Sequence, residues 1–521
     1  MLDLATQPTA ETRFSDDLKR RLKPRQPKSS LKTQSSVFRL PNHHQPQKTM
    51  PQPTFFIYDY ETFGIHPARD RPAQFAGIRT DPDFNPVADP ITLYCKQTND
   101  YLPSPESVLI TSITPQECNQ KGVPEPEFAA RICAEFSQPN TCIMGYNNIR
   151  YDDEITRHTF YRNFLDPYEY SYQNGNSRWD LLDVVRACHA LRPEGIEWPR
   201  DENGLPVFRL EQLTAANGIE HAHAHDALSD VYATIALAKL IKQKQPRLFR
   251  FFFENRGKAP LAAMIDIRRH TPLVHISGMF GNARRNTALI APLSWHPSNK
   301  NAVIACDLSA DLRDLLNLNA DTLRERLYTP KETLLAQGAL PVPLKLVHIN
   351  KCPILTPRNV LRDEDAERLG IDNTICQNNL AALQNAPEIR QKVQQIFRET
   401  RQFAPSDNVE TELYNGFFSP ADKQNLATLR TLPPEQLANH GLPFQDPRIP
   451  QLLFHYRARH FYPTLTRAEQ IQWQKYRRKK LEAALPDFSQ SLQNLAEQNA
   501  DNPDKLLLLQ AVYQYAERLL G

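Results

Sequence analysis

The sequence predicts an α/β protein in which a mixed-sheet domain is followed by a small β-rich domain and a helical domain. At about 150 residues per domain, 521 residues predict roughly three domains. Strand-like runs precede helical spacing over residues 51–245, which is typical of an α/β layer with a mixed sheet. Short strand-like runs with frequent Pro follow in residues 246–398, and residues 401–521 are almost wholly helical in pattern.

The individual elements follow from where apolar residues recur along the chain. Short apolar runs predict buried strands, and apolar residues three or four apart predict helices. In the first domain, strands are predicted over residues 54–58, 74–80, 91–96 and 141–145, and helices over residues 125–136, 153–164, 179–191, 210–217 and 226–242. In the second domain, strands are predicted over residues 272–276, 288–293, 302–308 and 343–350. The last domain ends in an amphipathic helix over residues 505–520.

The net charge of +3 conceals an uneven distribution of 62 basic and 59 acidic residues. Residues 1–50 carry 10 basic and 4 acidic residues, whereas residues 51–245 carry 17 and 27. Residues 246–400 carry 21 and 15, and residues 401–521 carry 14 and 13. The distribution, rather than the total, therefore bears on what the protein binds.

The ends of the chain and its cysteines exclude several classes of protein. Residues 1–50 have the composition of a disordered basic tail, and translation from Met50 is the alternative. There is no run of about 18 apolar residues that would predict a membrane helix, and no secretory signal. The eight scattered cysteines include no Cys-x-x-Cys pair, so we expect reduced, buried thiols and a cytoplasmic protein.

Three acidic patterns in the first domain carry the chemical signal. Asp59 and Glu61 lie at the end of a predicted strand, where side chains two apart share a face. Asp152, Asp153 and Glu154 come soon after the strand-like run 141–145, and His225 and Asp230 are five residues apart near the start of a predicted helix. Taken singly, each pattern is more typical of a surface pair, a helix N-terminus or a solvated helix face.

Taken together, these residues predict a divalent-metal site. Carboxylate oxygens are the ligands that Mg²⁺ and Mn²⁺ prefer, and two such ions can clamp the attacking and leaving oxygens of a phosphoryl displacement. A neutral histidine nearby can accept a proton from the attacking water. The combined pattern favours hydrolysis of a phosphodiester.

The order Asp-x-Glu, later Asp, later His-x-x-x-x-Asp resembles that of the DEDDh exonucleases. The resemblance is closer to the exodeoxyribonuclease I family, which are bacterial 3′→5′ single-strand DNA exonucleases, and it covers nearly all of residues 54–520. Matching stretches include DYETFGIHPARDRPAQFAGIRTD, GYNNIRYDDE, NGIEHAHAHDALSDVYATIALAKL, PLVHISGMFG and LYNGFF. The resemblance implies a ribonuclease-H-like exonuclease domain over residues 51–245, an SH3-like domain over residues 246–398 and a helical C-terminal domain over residues 401–521.

The resemblance implies a catalytic set made of Asp59, Glu61, Asp152, His225 and Asp230. Asp59, Glu61 and Asp230 would hold two ions of Mg²⁺, or Mn²⁺ in its place, and His225 would be the general base. The implied reaction is processive 3′→5′ degradation of single-stranded DNA to 5′-mononucleotides, in DNA repair and recombination.

The resemblance also implies how a strand is held, since single-strand channels need cations for phosphates and flat rings for bases. The implied substrate-binding residues are Glu61, Arg157, Tyr168, Tyr172, Arg186 and Arg209. Phe63 would either wedge against the terminal base or pack in the core. Because the first domain is acidic, we expect the basic second domain to supply much of the salt-dependent affinity. The run KYRRKK at residues 475–480 is interpreted as a solvated helix face rather than a DNA-binding patch.

The family is known to bind the acidic, hydrophobic C-terminal tail of single-stranded-DNA-binding protein. Arg362 would meet the terminal carboxylate of that tail, and Arg192 would belong to a second patch. The surroundings depart from the family: Gln377, Gln384 and Thr271 replace Leu, Arg and Lys, and Phe251 replaces Tyr. The protein is otherwise expected to be a monomer without membrane contact.

Two other functions remain open at this point. One is an exonuclease that prefers RNA ends, because discrimination between the sugars depends on packing around the terminal 2′ position. The other is a scaffold that binds single strands and recruits repair partners without catalysis. The intact set of five residues argues against the scaffold.

Overall fold

The computed structural model describes residues 52–221, 225–398 and 408–520, and the predicted tail of residues 1–50 lies outside them. We refer to residues 52–245, 246–398 and 408–520 as the N-terminal, middle and C-terminal regions. Within the described chain, no helix has the length and apolar character needed to cross a bilayer. All eight cysteines are free thiols, and six of them are buried as predicted, whereas Cys133 and Cys352 are half-buried.

The N-terminal region is built on a five-stranded mixed sheet of order β3-β2-β1-β4-β5, which confirms the predicted fold class. Its strands are β1 (Thr54–Thr62), β2 (Pro72–Thr80), β3 (Ile91–Tyr94), β4 (Thr141–Gly145) and β5 (Ser177–Asp180). The strand β2 runs antiparallel to both neighbours, and β4 runs parallel to both of its neighbours. The predicted helix over residues 179–191 was wrong at its start, because Trp179 and Asp180 pair with β4 as part of β5.

Helices cover both faces of this sheet. They are α1 (Pro105–Thr111), α2 (Pro115–Lys121), α3 (Glu125–Phe136), α4 (Asp152–Arg162), α5 (Leu181–Leu191), α6 (Leu210–Ala216) and α7 (Ala227–Lys244), with 3₁₀ turns at Glu169–Ser171 and Gln173–Gly175. Alternation along β1 sends Phe55 and Ile57 into a core with α5 and α7, whereas Phe56 and Tyr58 join an aromatic core with α3. The two faces of β1 are thus both buried, and the face shared by Phe55 and Ile57 points toward α7.

The middle region contains a second five-stranded sheet, of order β10-β6-β7-β8-β9, in which every pair is antiparallel. Its strands are β6 (Leu273–Ile276), β7 (Thr287–Trp295), β8 (Ala302–Asp307), β9 (Leu344–His348) and β10 (Ile354–Pro357). Its helices are α8 (Pro246–Glu254), α9 (Lys258–Met264), α10 (Arg313–Asn317), α11 (Ala320–Leu327), α12 (Lys331–Ala336), α13 (Asp363–Arg368), α14 (Asn373–Gln384) and α15 (Ile389–Ile396), with 3₁₀ turns at Gly278–Phe280, Asn282–Arg284 and Arg358–Val360.

The C-terminal region is helical, as predicted. Its helices are α16 (Pro420–Leu429), α17 (Arg448–His460), α18 (Arg467–Gln498) and α19 (Pro503–Leu520), with 3₁₀ turns at Val409–Thr411, Leu413–Asn415, Pro434–Asn439 and Tyr462–Thr464. The long helix α18 starts with a capping box, in which Thr466 and Glu469 satisfy each other's backbone N–H groups. Both α18 and α19 pack on α1 of the N-terminal region.

A buried set of charges joins the N-terminal and C-terminal regions, and we call it the interdomain ion network. Its members are Arg71, Asp100, Glu125 and Arg162 of the first region and Glu410, Arg459 and Lys480 of the last. Arg71 Nη2 donates to Glu410 Oε2 at 2.7 Å, and Arg459 Nη2 donates to Asp100 Oδ2 at 2.7 Å. Lys480 Nζ reaches the same Asp100 oxygen at 2.7 Å. The carboxylates are at most 3% exposed, so each is matched by buried cations rather than by water.

The basic run Lys475–Lys480 on α18 has two faces. Lys475, Arg478 and Lys479 are exposed, which agrees with the predicted solvated face. The other face is structural, because Lys480 belongs to the interdomain ion network and Arg477 Nε donates to the Asn99 carbonyl at 2.6 Å. The prediction is therefore correct for only part of the run.

Candidate active site

Strand β1 delivers the first two carboxylates. Asp59 and Glu61 follow Ile57 on the same face, so they point toward α7 at the end of the strand. A register shift between Glu61 and Thr62 interrupts the pairing with β2 there. The Thr62 hydroxyl donates to the Gly64 carbonyl at 2.8 Å, which fixes the turn that leaves the strand.

Asp152 begins α4, and Asp180 holds the loop that precedes it. The Asp180 carboxylate accepts the backbone N–H groups of Asn147 at 3.0 Å and Ile149 at 3.2 Å. The acidic residues that follow Asp152 point elsewhere: Asp153 accepts the Tyr58 hydroxyl at 2.6 Å and pairs with Arg178. Of this acidic run, Asp152 is the residue that lines the cavity described below.

Helix α7 provides the remaining pair. Asp226 caps the helix by accepting the Ser229 N–H at 3.1 Å, and His225 precedes it with a left-handed backbone, φ 66°. Asp230 lies one turn into the helix. One ligand atom from each of Glu61, His225 and Asp230 lies within 4.8 Å of the others, so three separate parts of the sequence meet at one point.

Burial and mutual repulsion raise the pKa of these carboxyl groups. Burial, followed by the charges of Asp230 and Asp152, raises the pKa of Glu61 to about 9. Burial and neighbouring carboxylates also raise the pKa of Asp59 and of Asp152. Burial raises the pKa of Asp230 as well, although His221 opposes the rise. An oxygen-rich cluster that is short of positive charge fits a divalent cation.

A cavity of about 1190 Å³ contains the predicted catalytic set. Asp59, Glu61, Asp152, His225 and Asp230 all line it, together with Arg186 and Arg209 of the predicted substrate-binding residues. Arg209 is exposed at the start of α6. Arg186 is 15% exposed, and its Nη1 donates to Asp183 Oδ1 at 2.7 Å. The structure thus brings seven sequence-predicted residues around one space.

A second cavity, of about 1010 Å³, contains the other predicted strand-binding residues Arg157, Tyr168 and Tyr172. The Arg157 guanidinium lies 5.5 Å from the centroid of the Tyr168 ring and donates to Glu154 Oε1 at 2.8 Å. Tyr172 is 59% exposed and presents an open ring. The first turn of α4 links the two cavities, because Asp152 lines one and Glu154 lines the other.

The two predicted partner-binding arginines lie beside the same carboxylate. Arg362 Nε bonds to Asp365 Oδ2 at 2.5 Å, and Arg192 Nη1 lies 3.7 Å from the same oxygen. Arg362 also donates to Glu194 Oε1 at 2.7 Å. One carboxylate therefore lies beside both arginines, and their role in binding a partner stays a prediction.

Sequence reasoning missed several residues at these cavities. His221 Nε2 lies 2.5 Å from Asp230 Oδ1, and alternate histidines at 221, 223 and 225 were the available signal. Gly278, Asn282 and Asn286 bring the middle region to the catalytic cavity, and Tyr414 and Phe417 bring the C-terminal region to the second cavity. The quoted stretches PLVHISGMFG and LYNGFF contain Gly278, Tyr414 and Phe417. Phe63 is fully buried beside Tyr101, so its role is core packing rather than a wedge.

Comparison with known proteins identifies the group to which this chain is related. Models of the exonuclease domain, the exonuclease I SH3-like domain and the exonuclease I C-terminal domain match residues 56–238, 256–399 and 407–519. The chain is 66% identical over 468 residues to exodeoxyribonuclease I of Haemophilus influenzae, which covers 90% of this chain and 99% of that one. The chain belongs to the exodeoxyribonuclease I family.

Solved structures of the Escherichia coli member of the exodeoxyribonuclease I family have the same fold. Its complex with a dA16 oligonucleotide superposes with a TM-score of 0.88 at 56% identity, covering 90% of this chain and all of that one. A zinc-ion-bound form of its complex with single-stranded DNA gives a TM-score of 0.87 at 56% identity over the same shares. A structure of SSB/exonuclease I with the inhibitor CFAM gives a TM-score of 0.85 at 55% identity, and the match covers 90% of this chain and all of that one. The family fold confirms the SH3-like and helical parts of the predicted architecture.

Proposed function

We propose that this protein is a divalent-metal-dependent exonuclease that degrades single-stranded DNA processively from the 3′ end, releasing 5′-mononucleotides. The observation that carries the proposal is the convergence of Asp59, Glu61, Asp152, His225 and Asp230 on one cavity of about 1190 Å³. Membership of the exodeoxyribonuclease I family supports single-stranded DNA as the substrate and the 3′ end as the starting point of degradation. The proposal includes a cytoplasmic monomer that acts in DNA repair and recombination.

Asp59, Glu61 and Asp230 are the proposed ligands of two Mg²⁺ ions, with Mn²⁺ as the alternative. Glu61 and Asp230 already approach each other within the spacing of a shared ion, and burial makes their charges costly without one. Asp152 completes the acidic set that lines this cavity. When bound, divalent cations supply charge neutralisation at the phosphate and a more acidic attacking water.

The remaining groups position and move the reacting atoms. His225 is exposed to the cavity, where a neutral imidazole can accept the proton of the attacking water. Arg186 and Arg209 line the same cavity, and guanidinium groups bind phosphate oxygens in a fixed fork geometry. These two arginines are the proposed clamps for the phosphates beside the bond that is cleaved.

The second cavity is the proposed path of the strand away from that bond. Tyr168 and the exposed Phe417 are in edge contact, with ring centroids 5.3 Å apart, and Tyr172 is open to solvent. Stacking of bases on such rings is worth about 1–3 kcal/mol per base and does not depend on sequence. Arg157 and Lys351 line the same cavity and supply positive charge. A strand held by rings and cations from three regions of the chain is suited to stepwise movement without release.

An end-labelled oligonucleotide tests the proposal. Full-length protein is incubated with 3′-labelled single-stranded DNA, the duplex or the RNA counterpart, in Mg²⁺, Mn²⁺ or chelator. We expect metal-dependent release of labelled mononucleotide from the single-stranded DNA. Asp59→Ala should lower the rate by about a thousandfold or more, because several kcal/mol of transition-state stabilisation depend on the ions it holds. The exposed Asp89→Asn is the matched control and should retain the activity.

The competing functions give different outcomes in the same assay. Preferential degradation of the RNA would replace the DNA exonuclease with the RNA-end exonuclease. Tight strand binding without metal-dependent release would favour the scaffold and contradict the enzyme. A 5′-labelled strand tests processivity when unlabelled competitor is added after the first turnovers, since a distributive enzyme would then stop shortening the labelled strand.

We also propose that the patch around Asp365 binds the C-terminal tail of single-stranded-DNA-binding protein. Arg362 is 34% exposed, and the fork of its guanidinium suits a terminal carboxylate. Arg362 now pairs with the carboxylates of Glu194 and Asp365. The terminal carboxylate of an incoming tail could take the place of one of them. Arg362→Ala should weaken binding of a labelled tail peptide without loss of bare-strand cleavage. Unchanged peptide binding would remove Arg362 from the proposed site.

A further inference from the structure

The loop between β6 and β7 connects the SH3-like domain to the catalytic cavity. It contains the 3₁₀ turn Gly278–Phe280, and Gly278 and Asn282 line the same cavity as the catalytic carboxylates. Arg150 Nη2 of the N-terminal region donates to Ser277 Oγ at 3.4 Å, next to this turn. The first residues of this loop therefore contact the N-terminal region beside the catalytic cavity.

Gly278 has little room for a side chain, because the Arg186 guanidinium packs directly against its backbone. Its φ is outside the left-handed range, so its backbone can be adopted by other residues. The space is the constraint, because a Cβ atom there would lie 3.0 Å from Arg186 Nη1 and 3.1 Å from Arg186 Cζ and Nη2. The guanidinium of Arg186 thus lies against the bare backbone of Gly278, and a methyl group there would force the guanidinium to shift by a few tenths of an ångström.

The guanidinium of Arg186 is held from two sides. Its Nη1 donates to Asp183 Oδ1 at 2.7 Å on its own helix, and Gly278 covers it from the SH3-like domain. Its Nε is buried and has no hydrogen-bond partner among the residues that the structure describes. A long arginine side chain loses considerable rotamer freedom when it is fixed, so a contact that limits where its tip can lie affects how it meets a ligand.

We propose that Gly278 is a positioning residue for strand binding: the absence of a side chain admits the Arg186 guanidinium against the loop and sets where it meets the DNA phosphate. The inference rests on the proposed function, because Arg186 is a proposed phosphate clamp. It assigns to the SH3-like domain a part in shaping the catalytic cavity, in addition to any field from its positive charge. Gly278 itself need not touch the strand.

The test compares kcat and KM of full-length Gly278→Ala with those of the wild type on the 3′-labelled single-stranded DNA. We expect KM to rise about tenfold while kcat at saturation stays within about twofold, because a charge-assisted phosphate contact is weakened throughout the reaction. Ala283→Ser adds one atom to an exposed position of the same loop and should leave both constants unchanged.

The double variant decides whether the effect acts through Arg186. In an Arg186→Ala background, Gly278→Ala should change KM by less than about twofold, since the displaced group is already absent. A wild-type KM for Gly278→Ala, or an equal rise in both backgrounds, would overturn the inference. If Gly278→Ala lowers the Tm of the wild type, it should leave the Tm of Arg186→Ala unchanged, and an equal loss in both backgrounds would likewise count against the contact. Loss of metal-dependent release by the wild type would instead contradict the proposed function.

Discussion

The catalytic carboxylates and the interdomain ion network use the same residue types under the same burial, with opposite results. Glu61 is 8% exposed and its pKa is raised to about 9, whereas Glu125 is 3% exposed and its pKa is lowered to about 2. Burial opposes ionisation in both, but the Arg162 and Arg71 guanidiniums outweigh it at Glu125. The charges next to a buried carboxylate, rather than how deeply it is buried, therefore decide its effect on stability. Beside arginines it stabilises the fold, and beside other carboxylates it destabilises the fold unless a cation binds.

The largest effect is expected where the network is broken. Glu410→Gln removes a charge that matches Arg71 and Arg459, and it leaves each of these buried cations with one carboxylate fewer. We expect the free energy of unfolding to fall by about 3–5 kcal/mol, measured by urea denaturation. Glu435→Gln, at an exposed position of the same region, is the control. A loss below about 1 kcal/mol would contradict the view that the network holds the regions together.

Lowering the pH should destabilise the protein through the interdomain ion network and stabilise it through the catalytic carboxylates. The pKa of Glu125 falls from 4.5 unfolded to about 2 folded, so its contribution of about 3 kcal/mol is present above pH 4.5 and is lost as pH falls toward 2. The pKa of Glu61 is raised from 4.5 to about 9, so its cost is largest above pH 9 and is relieved as pH falls toward 4.5.

The measurement is the Tm of the metal-free protein across this pH range. We expect a rise from pH 9 toward about 5, followed by a steep fall in stronger acid. Glu61→Gln should flatten the alkaline limb and leave the acid limb in place. A maximum near pH 8 in the metal-free wild type would show that the catalytic carboxylates do not repel each other as described.

Neutralising a catalytic carboxylate should stabilise the protein while it inactivates the enzyme. Glu61→Gln removes repulsion with Asp230 and Asp152, so we expect the metal-free free energy of unfolding to rise by about 1–3 kcal/mol. Addition of Mg²⁺ at a hundredfold over its Kd should stabilise the wild type by about 2.7 kcal/mol for each bound ion and the variant by much less. An equal metal response in both proteins would remove Glu61 from the ligands.

The smallest change in stability is expected at an exposed ion pair. This pair has the same residue types as the interdomain ion network but lies in solvent. Arg478 Nε donates to Glu482 Oε1 at 2.9 Å on α18, and Arg478 is 80% exposed. Arg478→Ala should change the free energy of unfolding by less than about 0.5 kcal/mol in urea denaturation. A loss comparable with that of Glu410→Gln would mean that burial does not distinguish the two settings.

Local pattern was sufficient for most elements and for the composition of the candidate site. The structure has a helix at Glu125–Phe136 and a strand at Thr141–Gly145, with the predicted bounds, because apolar spacing there is strong and the flanking residues end each element. The acidic patterns along the chain, together with the resemblance to the DEDDh exonucleases, were enough to predict a common site for Asp59, Asp152 and Asp230. Their roles in catalysis stay predictions that the assays above address.

Contacts between distant segments were not readable in the same way. The strand Ser177–Asp180 runs directly into a helix, and only its pairing with β4 makes it a strand. Arg71 and Glu410 are 339 positions apart, and nothing local marks either as buried. Gly278 and Arg186 likewise belong to different domains, and their contact depends on how two sheets are placed rather than on any motif.

The divided face of α18 has a consequence for how mutants of this protein are interpreted. Basic runs are commonly tested by replacing all of their charges at once. Here that replacement would include Lys480, whose ammonium lies 2.7 Å from the buried Asp100, and Arg477, which holds the Asn99 carbonyl. A strain carrying the replaced run would then score as defective in DNA degradation because little folded enzyme accumulates. Only Lys475, Arg478 and Lys479 can be altered in a screen that is meant to report on nucleic acid.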